Sequence, residues 1–106
     1  MIGNKYPPVN SNLIFDLISE ALDLVNAAIQ LDNAHNYTGA CDYYDMAILN
    51  FNEAMNKLKF NSPVWNKLME LRSKYDERLV FLYYYIYIYI YIKGRFLNII
   101  YAIRNN

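Results

Sequence analysis

Apolar residues recur at steps of three and four along most of this 106-residue chain, which is the spacing of one face of an α-helix. The clearest run is a stripe of seven side chains: Tyr37, Ala40, Tyr44, Ala47, Phe51, Ala54 and Leu58. Alanine returns at every seventh position of this stripe. Small residues at a fixed rung let a neighbouring helix backbone approach closely, and the aromatic rings fill the space between rungs. The stripe therefore predicts a core helix over residues 37–59.

Two more helices are predicted, one on each side of this stripe. The upstream helix, over about residues 12–34, has an apolar face made of Ile14, Leu17, Ile18, Ala21, Leu22, Val25, Ala28, Ile29 and Leu31. Downstream, Ser62-Pro63 is a helix start signal, and the third helix should run over residues 63–83 or longer. It places Trp65, Leu68, Tyr75, Leu79 and Leu82 inward. Short connections favour antiparallel neighbours, so we predict an all-α, antiparallel three-helix bundle.

The bundle, over residues 12–83, is predicted to lie between an irregular lead-in, 1–11, and a low-complexity tail, 84–106. The tail contains a strict alternation of tyrosine and isoleucine from Tyr85 to Ile92. As a strand it would have no polar face, and as a helix it would be apolar all round and need burial on every side. As a membrane span, the apolar run from Leu79 to Ile92 is too short, since it has 14 residues against about 20 needed.

Two interpretations of the tail remain open. TAT encodes tyrosine and ATA encodes isoleucine, so we interpret the alternation as a translated AT repeat, from an intron read through or a truncated gene model. A transcript that splices out the codons for residues 84–106 would support this interpretation, and a spliced message that retains them would contradict it. The alternative is a selected role in membrane binding or dimerisation. The segment is β-prone, nearly uncharged and free of proline, which favours self-association.

The charges are balanced overall but segregated along the chain. Ten basic residues match ten acidic ones, so no net field indicates nucleic acid or a membrane surface as a partner. Residues 1–53 carry one base and seven acids, whereas residues 54–106 carry nine bases and three acids. The single cysteine, Cys41, excludes an internal disulfide and is consistent with a reducing compartment. The N-terminus has no long apolar run, so we do not expect a secretory signal.

No pattern in the sequence indicates catalysis, a cofactor or a metal. His35 is the only histidine, and it has neither a cysteine nor paired carboxylates beside it. There is no glycine-rich phosphate loop and no Ser-His-Asp set, and no basic stripe accompanies the tyrosines to indicate nucleic acid. We therefore expect a non-enzymatic protein with no catalytic, cofactor-binding or metal-binding residue.

Residues 13–82 resemble the MIT (microtubule interacting and trafficking) domain. The family typically has a first helix that ends in aspartate, then asparagine-tyrosine, then alanine, tyrosine and alanine at helical spacing. It also has a tyrosine followed three residues later by arginine in the third helix. The matching positions here are Asp32, Asn36, Tyr37, Ala40, Tyr44, Ala47, Tyr75 and Arg78. These are packing motifs, so the resemblance implies a three-helix scaffold.

The resemblance also implies a function, namely docking of short C-terminal motifs of ESCRT-III-type proteins for endosomal sorting and membrane trafficking. In the family, the groove between helices 2 and 3 takes an amphipathic helix, and the groove between helices 1 and 3 takes extended, proline-containing segments. We expect a cytoplasmic protein recruited to endosomal membranes, with membrane association indirect through its partners. The partner-binding residues we expect are Asp42, Asp45, Met46, Leu49, Lys74, Asp76, Glu77 and Val80.

One position departs from the family, because Asp76 stands where a leucine often lines the helix 2/3 groove. A carboxylate on the floor of that groove would be desolvated by an apolar anchor, which is unfavourable. We therefore expect a more basic ligand or use of the helix 1/3 groove. Two other functions remain open. One is a tetratricopeptide-like fragment, although no second copy appears at a spacing of about 34 residues. The other is a self-associating helical protein driven by the tail.

Overall fold

Three α-helices make up the computed structural model, which describes residues 11–105 and the side chains of residues 12–105. They are α1 (Ser11–Asn33), α2 (Tyr37–Asn56) and α3 (Pro63–Arg104), and the described part of the chain contains no strand. The all-α three-helix prediction is therefore confirmed. The predicted lead-in lies outside the described residues except at Ser11, where α1 already begins.

The turn between α1 and α2 is built from a helix stop and a helix cap. His35 has a left-handed φ of 62°, and the amide of Asn36 donates to the carbonyl of Leu31 at 2.8 Å, which closes α1. The Asn36 side chain then accepts from the amide of Gly39 at 3.1 Å and caps α2. A Cβ at Gly39 would lie only 3.1 Å from that side chain, so glycine leaves room for the cap.

The second turn ends α2 earlier than the sequence predicts. α2 stops at Asn56 instead of residue 59, because the next amide, of Lys57, bonds to Ala54 in a tightened last turn. Asn61 then takes a left-handed φ of 64°. Ser62 caps α3 as predicted, since its hydroxyl oxygen accepts from a backbone amide of the first turn at 3.3 Å.

The helices are not equally close to one another. The Cα atoms of α1 and α2 come within 8 Å of each other, whereas within the described residues no α1 Cα lies that close to an α3 Cα. The close interface has five fully buried alanines, as the alanine rungs predict: Ala21, Ala28, Ala40, Ala47 and Ala54. Phe51 and Leu82 are the largest fully buried side chains of the core. The third helix thus packs on α2 and leaves a wider gap to α1.

The wider gap narrows the buried face of α1. Leu22 and Ile29, which we predict in the core, are instead 41% and 37% exposed. Leu24 is half-buried and packs against the core. A helix held closely by one neighbour buries a narrower stripe than a helix held between two, so the edge of the predicted stripe stays open.

The tail continues α3 as an uninterrupted helix, and the molecule is 86 Å long as a result. Tyr85 and Ile86 still contact the bundle; the Tyr85 ring meets the Tyr37 ring edge to face, with centroids 5.1 Å apart. Beyond Ile86 no side chain packs on the core, so the burial predicted for an all-apolar helix is absent from the described structure. Because α3 continues through Lys93, it contains an 18-residue window long and apolar enough to cross a membrane, and none of that window is buried.

Candidate functional site

Asp32, Tyr44 and Arg78, here called the three-helix junction, join one residue from each helix. The guanidinium of Arg78 donates twice to the Asp32 carboxylate, from Nε at 2.7 Å and from Nη2 at 2.6 Å. The Tyr44 hydroxyl donates to the same carboxylate at 3.1 Å. The Asp32–Arg78 contact spans the gap between α1 and α3 by means of the long arginine side chain. It fixes the position of α3, and therefore the shape of both grooves beside it.

Electrostatics at the junction follow from these bonds. Hydrogen bonds from Arg78 hold the pKa of the Asp32 carboxyl below its usual value, and the same contact raises the pKa of Arg78. Burial and the hydrogen bond to Asp32 raise the pKa of Tyr44 to about 12. The pair is therefore charged, and the phenol neutral, at physiological pH.

Two polar contacts mark the ends of the groove between α2 and α3. At one end the Tyr83 hydroxyl of α3 donates to the Asp45 carboxylate of α2 at 2.5 Å. At the other end Arg72 of α3 donates to the Asn52 side-chain oxygen of α2 at 2.8 Å. Asp45, through this hydrogen bond, raises the pKa of Tyr83 to about 12. The two contacts locate the facing edges of α2 and α3.

Two exposed apolar side chains lie between these contacts. Leu49 is one turn beyond Asp45 on α2 and is 66% exposed. Val80 is three residues before Tyr83 on α3 and is 61% exposed. Each lies within one turn of a residue that bonds across the groove, so both line it, and no other described side chain covers them. We define these two residues as the apolar strip of the α2/α3 groove.

Asp76 lies on the groove edge of α3, one turn after Arg72 and one turn before Val80. Its side chain is exposed, so the carboxylate lies at the open edge of the groove. The α3 residues that fill the core beside it are the apolar Tyr75 and Leu79. The carboxylate is therefore hydrated in the free protein, and a ligand would have to strip or replace that water.

The other expected partner-binding residues are not all in this groove. Asp42 and Met46 lie on the exposed side of α2 next to the apolar strip, and Glu77 is exposed on the outer side of α3. Lys74 is one turn before Arg78, so it lies on the side of α3 that faces α1. The structure thus brings together Asp45, Leu49, Asp76 and Val80, and separates Lys74 from them.

A second open surface lies beside α1. Phe15, Leu22 and Ile29 are spaced seven residues apart, so they lie along one edge of the helix. They are 69%, 41% and 37% exposed. On α3, the Arg78 guanidinium lies over the exposed Phe81 ring at 5.1 Å from its centroid. Both α1 and α3 therefore expose large apolar side chains beside the gap between them.

Three residues that shape the α2/α3 groove were not singled out from the sequence: Asn52, Arg72 and Tyr83. Their partners are at least twenty positions away in the sequence. At the helix edges, polar and apolar residues are both common, so the apolar pattern does not mark these residues. The regular spacing of helix 2 could have indicated Asn52, because it is seven residues after Asp45. No comparable signal marks Arg72.

Few of the described side chains are suited to nucleophilic attack or to metal binding. The Cys41 thiol is buried, and burial raises its pKa, which lowers the fraction of nucleophilic thiolate. No group of three or more histidine, cysteine, aspartate or glutamate side chains between residues 11 and 105 could hold a metal ion. His35 bonds through Nδ1 to the Tyr37 hydroxyl at 2.8 Å in the exposed turn.

Comparison with known proteins gives one match. A family model described as the MIT (microtubule interacting and transport) domain matches residues 18–83, which is more than half of the chain. Searches of curated proteins and of solved structures found no match. The matched segment includes the three-helix junction and both edges of the α2/α3 groove, and it ends at Tyr83, where the hydrogen bond to Asp45 closes that groove.

Proposed function

We propose that this chain, which belongs to the MIT domain family, docks short C-terminal motifs of ESCRT-III-type proteins in its α2/α3 groove. MIT domains are non-catalytic protein-interaction modules. Membership of this family favours an MIT function over that of a tetratricopeptide-like fragment. The observation that carries the proposal is the exposed apolar strip, Leu49 and Val80, with carboxylates on both sides of it. The strip fits one face of an amphipathic helix.

The charges beside the strip define the ligand more closely. Asp45 on α2 and Asp76 on α3 lie on opposite edges of the groove, and Asp42 adds a third carboxylate one turn before Asp45. A helix that carries leucine on one face and lysine or arginine beside it would bury its leucine on the strip. Its cations would replace the water around the carboxylates. A ligand with only apolar residues near Asp76 would leave that charge desolvated, which is costly.

The cellular role follows from the same ligand. A module that binds ESCRT-III-type tails would be cytoplasmic and would be recruited to endosomal membranes by those partners, for endosomal sorting and membrane trafficking. Fluorescence microscopy of the tagged chain tests this part of the proposal. Recruitment to endosomes should fall when the ESCRT-III partner is depleted. An endosomal signal that is unchanged without the partner would contradict recruitment through ESCRT-III.

The gap between α1 and α3 supports a second candidate, an extended, proline-containing segment of the same class of protein. The supporting observation is the exposed edge formed by Phe15, Leu22 and Ile29, beside helices whose backbones stay apart. An extended chain is thinner than a helix. It therefore fits a shallow groove whose floor is formed by the side chains of the three-helix junction.

Peptide titration with one variant in each groove distinguishes these candidates. Fluorescently labelled ESCRT-III tail peptides, helical or extended, are titrated with the full chain, and anisotropy is measured. For the α2/α3 groove we expect Leu49→Asp to weaken binding of the helical peptide at least about tenfold, which is about 1.4 kcal/mol. Leu22→Asp is the matched control and should leave that affinity unchanged. The reverse pattern with the extended peptide would support the second candidate, and no binding of either peptide would contradict the proposal.

Asp76→Leu tests the preference for a basic ligand. Removing the carboxylate should tighten binding of a leucine-rich peptide about tenfold, because its desolvation then costs nothing. The same variant should weaken binding of a peptide whose lysine or arginine lies beside that position. If Asp76→Leu changes neither affinity, the carboxylate does not select the ligand.

A further inference from the structure

Residues 87–104, here called the α3 extension, form a helix without a covering partner in the described structure. The extension has 18 residues and a length of about 27 Å at the usual helical rise. Ten of its large apolar side chains are more than half exposed: Tyr87, Tyr89, Ile90, Tyr91, Ile92, Phe96, Leu97, Ile99, Tyr101 and Ile103. Successive residues point in different directions, so the apolar surface runs around the whole helix. A surface of this kind requires a medium that can surround it.

The charges on the extension all have the same sign. Lys93, Arg95 and Arg104 are its only ionisable side chains other than tyrosine, and Glu77 is the last acidic residue in the sequence. The ammonium of Lys93 lies 5.9 Å from the Tyr89 ring centroid, and the guanidinium of Arg95 lies 5.8 Å from that of Tyr91. The cations thus lie along the apolar surface. By contrast, α1 and α2 carry most of the acidic residues of the chain.

We propose that the α3 extension binds directly to a bilayer surface that contains anionic lipids. Its cations complement anionic headgroups, and its tyrosine and isoleucine side chains enter the boundary between headgroups and acyl chains. Tyrosine is enriched at this boundary because its ring is apolar and its hydroxyl is polar. The acidic helices α1 and α2 are repelled by the same surface, so the charge distribution orients the bundle away from the membrane.

Self-association accounts less well for the same residues. The tyrosine rings occur on several sides of the extension, and none of the hydroxyls of Tyr87, Tyr89, Tyr91 or Tyr101 has a partner within the described residues. Packing two copies of the extension together would bury some of these hydroxyls and bring six cations close together. Headgroups and interfacial water supply acceptors to the hydroxyls and opposite charge to the cations.

The position of the cations favours the bilayer surface over a full crossing. Lys93 and Arg95 are near the middle of the extension, and Asn98 follows one turn later. In a helix that crosses the bilayer, these three residues would lie deep in the hydrocarbon, where charged side chains are rare and costly. In a helix that lies in the interface, the same cations reach the phosphates by extending along the surface.

Vesicle sedimentation with a charge-reversal variant tests the proposal. The full chain is mixed with phosphatidylcholine vesicles and, separately, with vesicles that also contain phosphatidylserine, and the bound fraction gives the partition coefficient. We expect clear preference for the phosphatidylserine vesicles. Lys93→Glu/Arg95→Glu should lower that partition coefficient at least about 30-fold, because each basic residue contributes about five- to sixfold near an anionic surface and the two factors multiply. Both side chains are exposed, so the helix should be retained, and circular dichroism checks this.

Lys57→Glu/Lys59→Glu is the matched control, because both lysines are exposed on the bundle and the net charge changes equally. It should leave the partition coefficient within about twofold of the parent value, since charges beyond a Debye length of about 8 Å from the surface are screened. Equal binding to both vesicle types, or equal loss in the two double variants, would overturn the proposal. Dimers by sedimentation velocity without any vesicle binding would also overturn it, in favour of self-association.

The depth of the helix provides an independent readout. In Tyr91→Trp, brominated lipids should quench the new indole most when the bromine atoms are near the headgroups. Trp65 is half-buried in the bundle and serves as the unquenched reference in the same molecule. Strongest quenching by bromine atoms at the bilayer centre would contradict the interfacial geometry. Peptide binding in the α2/α3 groove should be unchanged in Lys93→Glu/Arg95→Glu, so failure of this proposal and failure of the proposed function can be told apart.

Discussion

Replacing Asp32 by asparagine should destabilise the bundle more than the removal of a charge from an exposed ion pair. The substitution keeps the size of the side chain and one acceptor oxygen, but it removes the charge that Arg78 contacts twice, at 2.6 and 2.7 Å. Tyr44 also loses a charged acceptor. Because the three-helix junction is the polar contact that spans α1 and α3, we expect the effect to appear as a loss of global stability.

The magnitude follows from the partial burial of the pair. The Asp32 side chain is 10% exposed and that of Arg78 is 41% exposed. The cost of breaking this pair should therefore lie between the values for exposed and for buried ion pairs. Exposed ion pairs contribute about 0.2–1 kcal/mol, and removing one partner of a buried pair costs about 3–5 kcal/mol. We therefore expect Asp32→Asn to lower the free energy of unfolding by about 2 kcal/mol. A loss of that size lowers the Tm of a domain this small by about 10 °C.

Urea unfolding followed by Trp65 fluorescence is the appropriate assay, because Trp65 packs against the bundle core and does not report on the α3 extension. The urea midpoint should fall by about 1 M.

The pH dependence of the stability has a definite sign. The pKa of the Asp32 carboxyl is lower in the folded protein than its usual value of 3.8. Its contribution to stability is therefore complete above that pH and is lost as the pH falls further. Asp32→Asn should remove this part of the acid sensitivity.

The control is Glu70→Gln, which breaks the exposed ion pair with Lys67, whose side chains are 67% and 72% exposed. It should change the free energy of unfolding by less than about 0.5 kcal/mol. A double-mutant cycle between Asp32→Asn and Arg78→Met should give a coupling energy of at least about 1 kcal/mol. If Asp32→Asn costs no more than the control, or if the cycle shows no coupling, the junction does not stabilise the fold.

Three further substitutions test the caps, the core and the alkaline limit. Ser62→Ala removes the acceptor for the Trp65 amide and should cost about 1 kcal/mol by urea unfolding, whereas Ser62→Thr should restore most of it. Ala47→Leu forces α1 and α2 apart and should cost at least about 2 kcal/mol, while the exposed Ala102→Leu should have little effect on the urea midpoint. Tyr44, with its pKa raised to about 12, stabilises the fold below pH 10 and loses that contribution as the pH rises towards 12. Tyr44→Phe removes this ionisation, so the loss of stability between pH 10 and pH 12, measured by Trp65 fluorescence, should be smaller. An unchanged loss of stability would show that another group causes it.

The helices could be predicted because their signals are local. The alanine rungs of α2 are all fully buried, and the Ser62 cap starts α3 where the sequence indicates. The errors occur where a distant element decides the outcome. Leu22 is exposed because α3 stays away from α1, and that separation is set by side chains more than forty positions apart, such as Asp32 and Arg78. Periodicity shows which face of a helix is apolar, but not how close each neighbour comes.

The same limit explains why the groove was only partly predicted. Lys74 and Asp76 are two residues apart, so on a helix they point about 200° away from each other and cannot belong to one narrow groove. Which of them faces α2 depends on the register between the helices, and only the contacts of Arg72 and Tyr83 with α2 establish it. Those contacts put Asp76 at the open edge beside Val80, where its charge is available to a cation. We therefore expect Asp76, which stands where the family often has leucine, to change which ligand the groove favours without closing the groove.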